Sequence, residues 1–349
     1  MANNSLHPTL SQVGRAAGVG CATVSRVING GDHVSPETLA HVLRVIETLG
    51  YVPNQAARIL KGHRTKTIGL VVPSIADPFF SSCAEAVQAI ARAHESLLIV
   101  TATDNDTHNE IESLNALMRQ RVDGLILVPS NIQSQALSDI LDRATMPVVA
   151  IDRPLRNSSI PSVVADNSKG ASAATKHLID HGYKRIVCLT GESSLYTIRE
   201  RMSGYRKAME AANLEPVFDT TIKDYPSTEA AIRRILESKN PPQAIFATKN
   251  KTTIYALEAL LKFNVSIPKS MALIGYDDFE LASTVRPSIS VIEQPVEEIG
   301  RRAAMILFEQ MAERLEKPSP ETSTRTRIVK LKTRLIARSS CGCNPQDMR

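Results

Sequence analysis

Apolar residues near the start of the chain recur every three or four positions in two short stretches. Residues 9–29 read TLSQVGRAAGVGCATVSRVIN, and the apolar positions on either side of Ala17-Gly18-Val19 each fall on one helical face. This spacing predicts two short helices joined by a tight turn, the helix-turn-helix whose second helix enters a DNA major groove. The spacing alone fits an ordinary helical hairpin in a core equally well.

The positions that follow predict a third helix and a fourth, shorter one. Ser35-Pro36 supplies the cap and first residue of a helix, apolar residues repeat from Leu39 to Leu49, and Gly50 ends the pattern. Residues 55–61 predict one or two more helical turns. Isolated helices need about 12–15 residues to hold in water, so this last segment is expected to fold only against a partner.

From Lys66 onwards, apolar runs of strand length alternate with amphipathic helical stretches. Such runs are typical of strands in a parallel sheet that is covered on both faces, and the alternation predicts doubly wound sheets. The pattern restarts once, which predicts two lobes. The predicted strands are 67–73, 97–101, 124–128, 147–151, 185–189, 244–247, 271–274 and 289–292, with 327–337 as one edge strand.

Four motifs, ATVSRVIN, VSPET, LGYVPN and AARILKG, stand at 22–29, 34–38, 49–54 and 56–62. In these motifs and their spacing, the chain resembles the lactose-repressor (LacI/GalR) family of bacterial transcription regulators, and the resemblance covers nearly all of residues 9–340. It implies an α/β protein with an all-α N-terminal domain and a body like a periplasmic sugar-binding protein. The implied parts are a helix-turn-helix domain (1–53), a hinge helix and linker (54–65), a first lobe (about 66–165 and 293–338), a second lobe (about 166–292) and a tail (339–349).

Positive charge is concentrated at one end of the chain. Residues 1–66 hold seven Lys or Arg and three Asp or Glu, and so carry +4 of the formal net charge of +5. A small basic module joined to a near-neutral body fits DNA on one side and a small molecule on the other. The chain shows no secretion signal, its five cysteines are scattered, and no apolar run reaches membrane-span length. We therefore expect a cytoplasmic protein with no membrane partner.

Two other classes of protein are disfavoured. An enzyme on these sheets would be expected to show a G-x-G-x-x-G after a strand, a P-loop or a G-x-S-x-G elbow, and the chain has none of them. A stand-alone sugar-binding protein for transport needs an export signal where this chain has a basic helical module. We expect a repressor that binds a pseudo-palindromic DNA duplex as a homodimer. A dimer is expected in preference to a tetramer because the tail lacks the leucine heptads of a tetramerisation bundle.

The outward face of the second helix supplies the candidate DNA-reading residues. Arg26 can donate two hydrogen bonds to a guanine, and Ala22 can contact a thymine methyl group, while the neighbouring polar side chains hold phosphates. The resemblance places Leu60 between base pairs in the minor groove and Ala57 where two hinge helices approach. The full predicted set is Thr9, Leu10, Gly20, Cys21, Ala22, Thr23, Ser25, Arg26, Asn29, His33, Asn54, Ala57 and Leu60.

Polar and aromatic residues follow several predicted strands, at the carboxyl ends where doubly wound sheets bind ligands. Asp152, Arg199 and Asp277 stand at positions that the family uses, and we expect them to bind the hydroxyl groups of a sugar. Loop acids also cap helices and aromatic residues also fill cores, so each residue has a structural alternative. The full predicted effector set is Asp77, Phe79, Phe80, Asp152, Arg153, Arg199, Tyr225, Lys249, Asp277 and Gln294.

Lys249 departs from the family, which usually has Asn at this position. A cation beside Arg153 and Arg199 favours an anionic effector, such as a sugar acid or a sugar phosphate, over a neutral sugar. The alternative is that Lys249 points outward or pairs with Asp277.

Two pairs of potential metal ligands lie far apart in the sequence. Cys341-Gly342-Cys343 has no further ligands nearby, and we interpret it as part of a solvated tail. His177 and His181 stand one helical turn apart near a helix end, and we interpret them as capping or surface residues. The sequence therefore predicts no metal site and no cofactor.

Overall fold

The computed structural model describes residues 8–30, 33–52, 64–155, 159–191, 193–316 and 328–343. They form two compact units, which fall within Met1–Thr65 and Lys66–Arg349. The predicted fourth helix, at 55–61, lies outside the described residues, and so do Asn54, Ala57 and Leu60 of the predicted DNA-contacting set.

The described residues of the first unit form three helices, whose ends follow from local sequence. They are α1 (Leu10–Ala16), α2 (Cys21–Ile28) and α3 (Pro36–Leu49). Thr9 and Gln12 form a reciprocal capping box at the start of α1, and the Ser35 side chain accepts from the backbone N–H of Thr38 at the start of α3. Gly50 ends α3 in the left-handed conformation, with φ of 61°.

Close packing of α1 and α2 gives this unit its core. Val13, Val24 and Val42, one from each helix, are fully buried. A Cβ atom on Gly14 would lie only 2.9 Å from the backbone oxygen of Val19, and Gly18 makes the turn with φ of +65°. Both glycines are therefore needed for the two helices to meet, and the predicted helix-turn-helix is confirmed.

The second unit is built on parallel strands joined by helices. Its strands, in chain order, are β1 (Thr67–Val72), β2 (Leu97–Ala102), β3 (Gly124–Leu127), β4 (Val148–Ile151), β5 (Ser162–Ala165), β6 (Ile186–Leu189), β7 (Val217–Asp219), β8 (Ala244–Ala247), β9 (Ala272–Tyr276), β10 (Ser290–Glu293), β11 (Ile328–Leu331) and β12 (Arg334–Ile336). Its helices are α4 (Pro78–Ala93), α5 (Thr107–Arg119), α6 (Gln135–Asp142), α7 (Asn167–Asp180), α8 (Tyr196–Ala211), α9 (Tyr225–Leu236), α10 (Asn250–Lys262) and α11 (Val296–Glu316).

The strands form two six-stranded sheets, one in each lobe. The first has the order β11-β5-β4-β3-β1-β2 and the second β12-β10-β9-β8-β6-β7. Every neighbouring pair is parallel except β10 and β12, which run antiparallel. The predicted α/β fold with two lobes of parallel sheet is confirmed.

The chain crosses between the lobes near its end. β10 belongs to the second sheet, but the helix that follows it, α11, packs against α4 in the first lobe, where Leu307 and Val87 share one buried core. The single edge strand predicted at 327–337 is wrong, because β11 joins the first sheet and β12 the second. β5 and β7 were not predicted. Within the described residues, no helix is both long and apolar enough to cross a membrane.

One glycine allows an unusually close contact between helices of the second lobe. A Cβ atom on Gly204 in α8 would lie 2.1 Å from the backbone oxygen of Ser168 in α7. The obstacle is backbone and cannot rotate away, so the helices would have to separate. This contact matters for the ligand site, because α7 and α8 both contribute polar side chains to it.

We predict that Gly204→Ala destabilises the body by about 1–3 kcal/mol, as overpacking a well-packed site does. Thermal and urea unfolding of the full-length protein, followed by circular dichroism, measures the change. Lys207→Ala, on the exposed face of the same helix, is the matched control. Equal stability of the two variants would contradict the close contact.

Candidate functional site

The outer face and the ends of α2 carry several of the predicted DNA-contacting residues. Cys21 and Ala22 are exposed at its first turn, Arg26 and Asn29 are exposed further along, and Val24 faces the core. Gly20 precedes the helix without any side-chain cap. The positive end of the helix dipole is thus presented without a competing carboxylate or hydroxyl, which suits a phosphate.

The other predicted DNA-contacting residues have mixed settings. Thr23 and Ser25 are half-buried, and Ser25 accepts a long hydrogen bond of 3.4 Å from the Asn29 amide. His33 is exposed. Leu10 is half-buried and packs against the core of the three helices, so only part of its side chain faces outward.

Three predicted acids follow strands of the body, two of them immediately and Asp77 five residues after the end of β1. Asp77 caps α4, accepting from the Phe79 N–H at 3.1 Å. Asp152 follows β4 with φ of 64° and Asp277 follows β9 with φ of 69°, both in the left-handed region. Such backbone conformations cost energy in residues other than glycine and are concentrated at functional sites.

These acids interact with one another and with buried arginines from both lobes. Burial raises the pKa of Asp152, while the positive charges of Arg153 and Arg201 oppose the rise and the charge of Asp77 adds to it. Burial also raises the pKa of Asp277, against the effects of Arg201 and of a hydrogen bond from Gln294. The carboxylates of the first lobe therefore share one electrostatic environment with Arg201 and Asp277 of the second.

Arg201 in α8 is the most heavily bonded side chain of this cluster. Its Nε donates to Asn167 Oδ1 at 2.7 Å and its Nη1 donates to the Thr248 carbonyl at 2.7 Å. Its Nη1 also lies 3.5 Å from an Asp277 carboxylate oxygen. The guanidinium carbon sits 3.7 Å from the centroid of the Tyr276 ring, within cation–π distance.

Arg199, which the sequence analysis predicted for this position, lies outside the cluster. It is exposed and donates to the backbone carbonyl of Ser194. Residues two apart on a helix point to nearly opposite sides, so Arg199 and Arg201 cannot share a face. The missed signal is that Arg201 stands three residues after Ile198 and four before Tyr205, on the buried stripe of α8.

Two buried polar atoms beside the acids have no hydrogen-bond partner within the described part of the chain. They are Nε of Arg153, a donor that instead makes an ion pair with Asp152 Oδ2 at 3.4 Å, and Oε1 of Gln294, an acceptor. Arg153 is held by a hydrogen bond from Nη1 to the Pro129 carbonyl, and Gln294 donates from Nε2 to Asp277 at 2.5 Å. One donor and one acceptor are thus fixed in place, as a ligand with hydroxyl groups would require.

A cavity of about 890 Å³ adjoins Asp277 and Gln294. Most of its lining comes from α4 and the start of α11, with Asn250 from the second lobe. Asp77, Asp152, Arg153 and Arg201 do not line it, so the cavity lies beside the polar cluster and does not enclose it. Its volume falls within the range of about 300–1,000 Å³ that is typical of small-molecule sites.

The remaining predicted effector residues have different surroundings. Phe79 and Phe80 are mostly buried in the first-lobe core with their rings edge to face, 5.0 Å apart. Tyr225 begins α9 and packs edge-on against Tyr255, with centroids 6.0 Å apart. Lys249 is half-buried and directly follows Thr248, whose carbonyl Arg201 binds.

The two pairs of cysteines and histidines, treated separately in the sequence analysis, meet in the structure. His177, His181, Cys341 and Cys343 place their ligand atoms within 4.8 Å of one another. Cys341 is fully buried, so the interpretation of this segment as a solvated tail is wrong.

A helix-turn-helix unit and a two-lobed body with a polar cluster at its strand ends define a DNA-binding regulator that responds to a ligand, not an enzyme. Comparisons with known proteins agree. Residues 9–54 match the family of bacterial regulatory proteins named lacI, and residues 65–338 match the periplasmic binding proteins and sugar binding domain of the LacI family. The chain belongs to the LacI family of transcription regulators.

The chain is 35% identical over 345 residues to the HTH-type transcriptional regulator CelR of Thermobifida fusca. This alignment covers 95% of this chain and 98% of the relative. Among solved structures, it is similar to a CelR–cellobiose complex, with a TM-score of 0.68, 32% identity, and coverage of 96% and 100% of the two chains. A lac repressor dimer bound to operator and an anti-inducer shares the fold, with a TM-score of 0.83 at 23% identity over 96% and 99%.

We predict that Asp277→Asn changes the pH dependence of stability in a defined direction. When folding raises the pKa of an acid, the folded state holds the proton more tightly than the unfolded state does. The free energy of unfolding therefore falls as pH rises from the unfolded pKa of about 3.9 to the folded pKa. The Asn variant lacks this loss, so its free energy of unfolding relative to the parent should rise between about pH 4 and pH 7, by about 1.4 kcal/mol for each unit by which folding raises the pKa.

Urea unfolding of the ligand-free protein at several pH values measures this difference. Asp104→Asn is the matched control, because Asp104 is an exposed acid in the same left-handed conformation, with φ of 54°. A stability difference for Asp277→Asn that is constant with pH, or that falls as pH rises, would contradict the prediction.

Proposed function

We propose that this regulator is a repressor whose affinity for its operator is controlled by a sugar or sugar derivative bound between the two lobes. One observation carries the proposal, namely a polar cluster with members from both lobes. Its members are Asp77, Asp152, Arg153, Arg201, Asp277 and Gln294.

The composition of the cluster supports a ligand rich in hydroxyl groups. Three carboxylates interact with two guanidinium groups, so acceptors are in excess and can bind hydroxyl hydrogens, and Gln294 Oε1 adds one more acceptor. The CelR–cellobiose complex is a related protein with a sugar bound. Lys249 follows Thr248, whose carbonyl Arg201 binds, and its positive charge is the reason to include sugar acids and sugar phosphates among the candidate ligands.

Because the ligand contacts both lobes, its binding can change the arrangement of the lobes and, through it, the affinity for the operator. A ligand that binds one arrangement of the lobes more tightly shifts the population towards that arrangement, and about 5.5 kcal/mol of differential affinity moves the ratio from 1:99 to 99:1. We propose a homodimer on a pseudo-palindromic operator in the cytoplasm, with Asn54, Ala57 and Leu60 as hinge residues at the minor groove.

We predict that Arg26→Ala weakens operator binding by about 1–3 kcal/mol and relaxes preference at one base pair in each half-site, because a bidentate guanine contact is lost. Selection from a randomised-site library, at fixed salt, measures both effects. Arg15→Ala, which removes an exposed arginine from α1, is the charge-matched control. Unchanged sequence preference for Arg26→Ala would overturn the assignment.

We predict that Arg201→Gln abolishes the effector response, whereas Arg199→Gln keeps it. The parent is first screened by thermal shift against cellobiose and a panel of sugars, sugar acids and sugar phosphates, and the strongest hit is then titrated into each variant by calorimetry. Operator binding without effector should be retained by both variants, which shows that they are folded. Loss of effector binding in Arg199→Gln but not in Arg201→Gln would reverse the assignment.

A further inference from the structure

Two ligand pairs from distant parts of the chain converge beside the second sheet. His177 lies in the last turn of α7 and His181 caps its end, so the two side chains share one helical face. Cys341 and Cys343 flank Gly342 after a 3-10 turn at Ser339–Cys341. The four residues come together outside the candidate ligand site and take no part in the proposed effector response.

The distances between the ligand atoms are those of a compact four-ligand set. His177 Nε2 lies 3.2 Å from Cys341 Sγ and 3.4 Å from Cys343 Sγ, and His181 Nε2 lies 3.2 Å from Cys343 Sγ. The two sulfur atoms are 3.4 Å apart. Zinc bonds of about 2.0–2.1 Å to nitrogen and about 2.3 Å to sulfur, arranged tetrahedrally, require about 3.6 Å between N and S and about 3.8 Å between the sulfurs.

We propose that His177, His181, Cys341 and Cys343 bind one Zn²⁺ ion in a Cys₂His₂ site that attaches the C-terminal segment to the second lobe. The observed separations need to open by only a few tenths of an ångström for the pairs in contact, and small side-chain rotations accomplish this. With four protein ligands the site is closed, which is the arrangement of structural zinc sites.

The backbone around the cysteines is fixed by contacts that are independent of any metal. Ser340 Oγ donates to the Leu273 carbonyl at 2.6 Å and accepts from the Ser290 N–H at 2.8 Å. Arg338 donates two hydrogen bonds to the carboxylate of Asp278, at 2.6 and 2.9 Å. These bonds hold the turn against β9 and β10, so the cysteines are positioned before a metal arrives.

Gly342 allows the second cysteine to point back towards the histidines. Its φ is +100°, and a Cβ atom there would lie 2.9 Å from the Tyr183 hydroxyl oxygen and 3.6 Å from His181 Nδ1. Any other residue would be strained and would push the turn away from α7. Glycine is therefore needed at the middle position of Cys-Gly-Cys for the four ligands to meet.

The chemistry of the ligand set selects zinc. Two sulfur and two imidazole ligands in a tetrahedral arrangement suit Zn²⁺, whereas Mg²⁺ and Ca²⁺ require oxygen ligands, which this set lacks. The position at the end of α7 also favours a cation, because the helix dipole is negative there.

The test uses purified full-length protein that has been reduced, stripped with a chelator and dialysed against Zn²⁺. We expect one zinc per chain by elemental analysis, and Co²⁺ in its place should give the absorption of tetrahedral cobalt with thiolate ligands. Cys343→Ser and His181→Gln should each weaken zinc binding about tenfold or more in a competition assay with a chromogenic chelator. His181 is exposed, so its replacement should leave the circular dichroism spectrum unchanged.

Matched controls remove the same residue types elsewhere. Cys21→Ser takes away an exposed thiol, and His108→Gln takes away an exposed histidine, and both variants should bind zinc like the parent. The proposal is overturned if the parent takes up no zinc, or if Cys343→Ser and His181→Gln bind zinc as tightly as the controls. A Cys341–Cys343 disulfide in the protein as purified, seen as a mass loss of two hydrogens together with no zinc, would also overturn it.

Discussion

The buried guanidinium of Arg201 is the interaction on which the rest of the ligand site depends. Removing a charge from water costs several kcal/mol unless partners satisfy it. Here the partners are the Asn167 amide, the Thr248 carbonyl, the Tyr276 ring and the Asp277 carboxylate, which come from the ends of α7, β8 and β9. One side chain on α8 therefore fixes the relative positions of three neighbouring elements. The close approach of α7 and α8 at Gly204 supports this, because it brings Asn167 within reach of Arg201.

Two left-handed aspartates and two buried polar atoms without hydrogen-bond partners lie together in the candidate ligand site. Asp152 and Asp277 have left-handed backbones. Gln294 Oε1 has no hydrogen-bond partner among the described residues, and Arg153 Nε makes an ion pair of 3.4 Å with Asp152 in place of a hydrogen bond. A buried polar group without a partner costs about 1–3 kcal/mol, and a ligand that supplies the partner recovers that energy on binding. Because the groups come from both lobes, the recovered energy depends on how the lobes are arranged. This gives the site a physical basis for coupling ligand binding to conformation.

The alternation of apolar runs and helical stretches was enough to predict two lobes of parallel sheet, because strands such as β4 and β8 are apolar along their whole length. β7 was missed because it has three residues and is half-exposed, so it carries no buried run. The strand predicted at 327–337 was divided between two sheets, which periodicity cannot reveal. In the candidate site, strand ends pointed to acids that the structure brings near one another. The choice between Arg199 and Arg201 required the helical phase of α8, in which Arg201 shares a face with Ile198 and Tyr205.

The meeting of the cysteine and histidine pairs could not be predicted from local sequence. Each pair has ligand spacing by itself, but the two pairs are separated by more than 150 residues of chain, and neither contains the information that brings it to the other. Their meeting depends on β12 running antiparallel to β10 at the edge of the second sheet, where it lies against α7. Arg338 follows that strand and donates to Asp278. This bond holds the next turn, which carries the cysteines, against β9 and β10. A metal bound there would connect the end of α7 to the last described turn, and so hold in place the edge strand on which its own ligands depend.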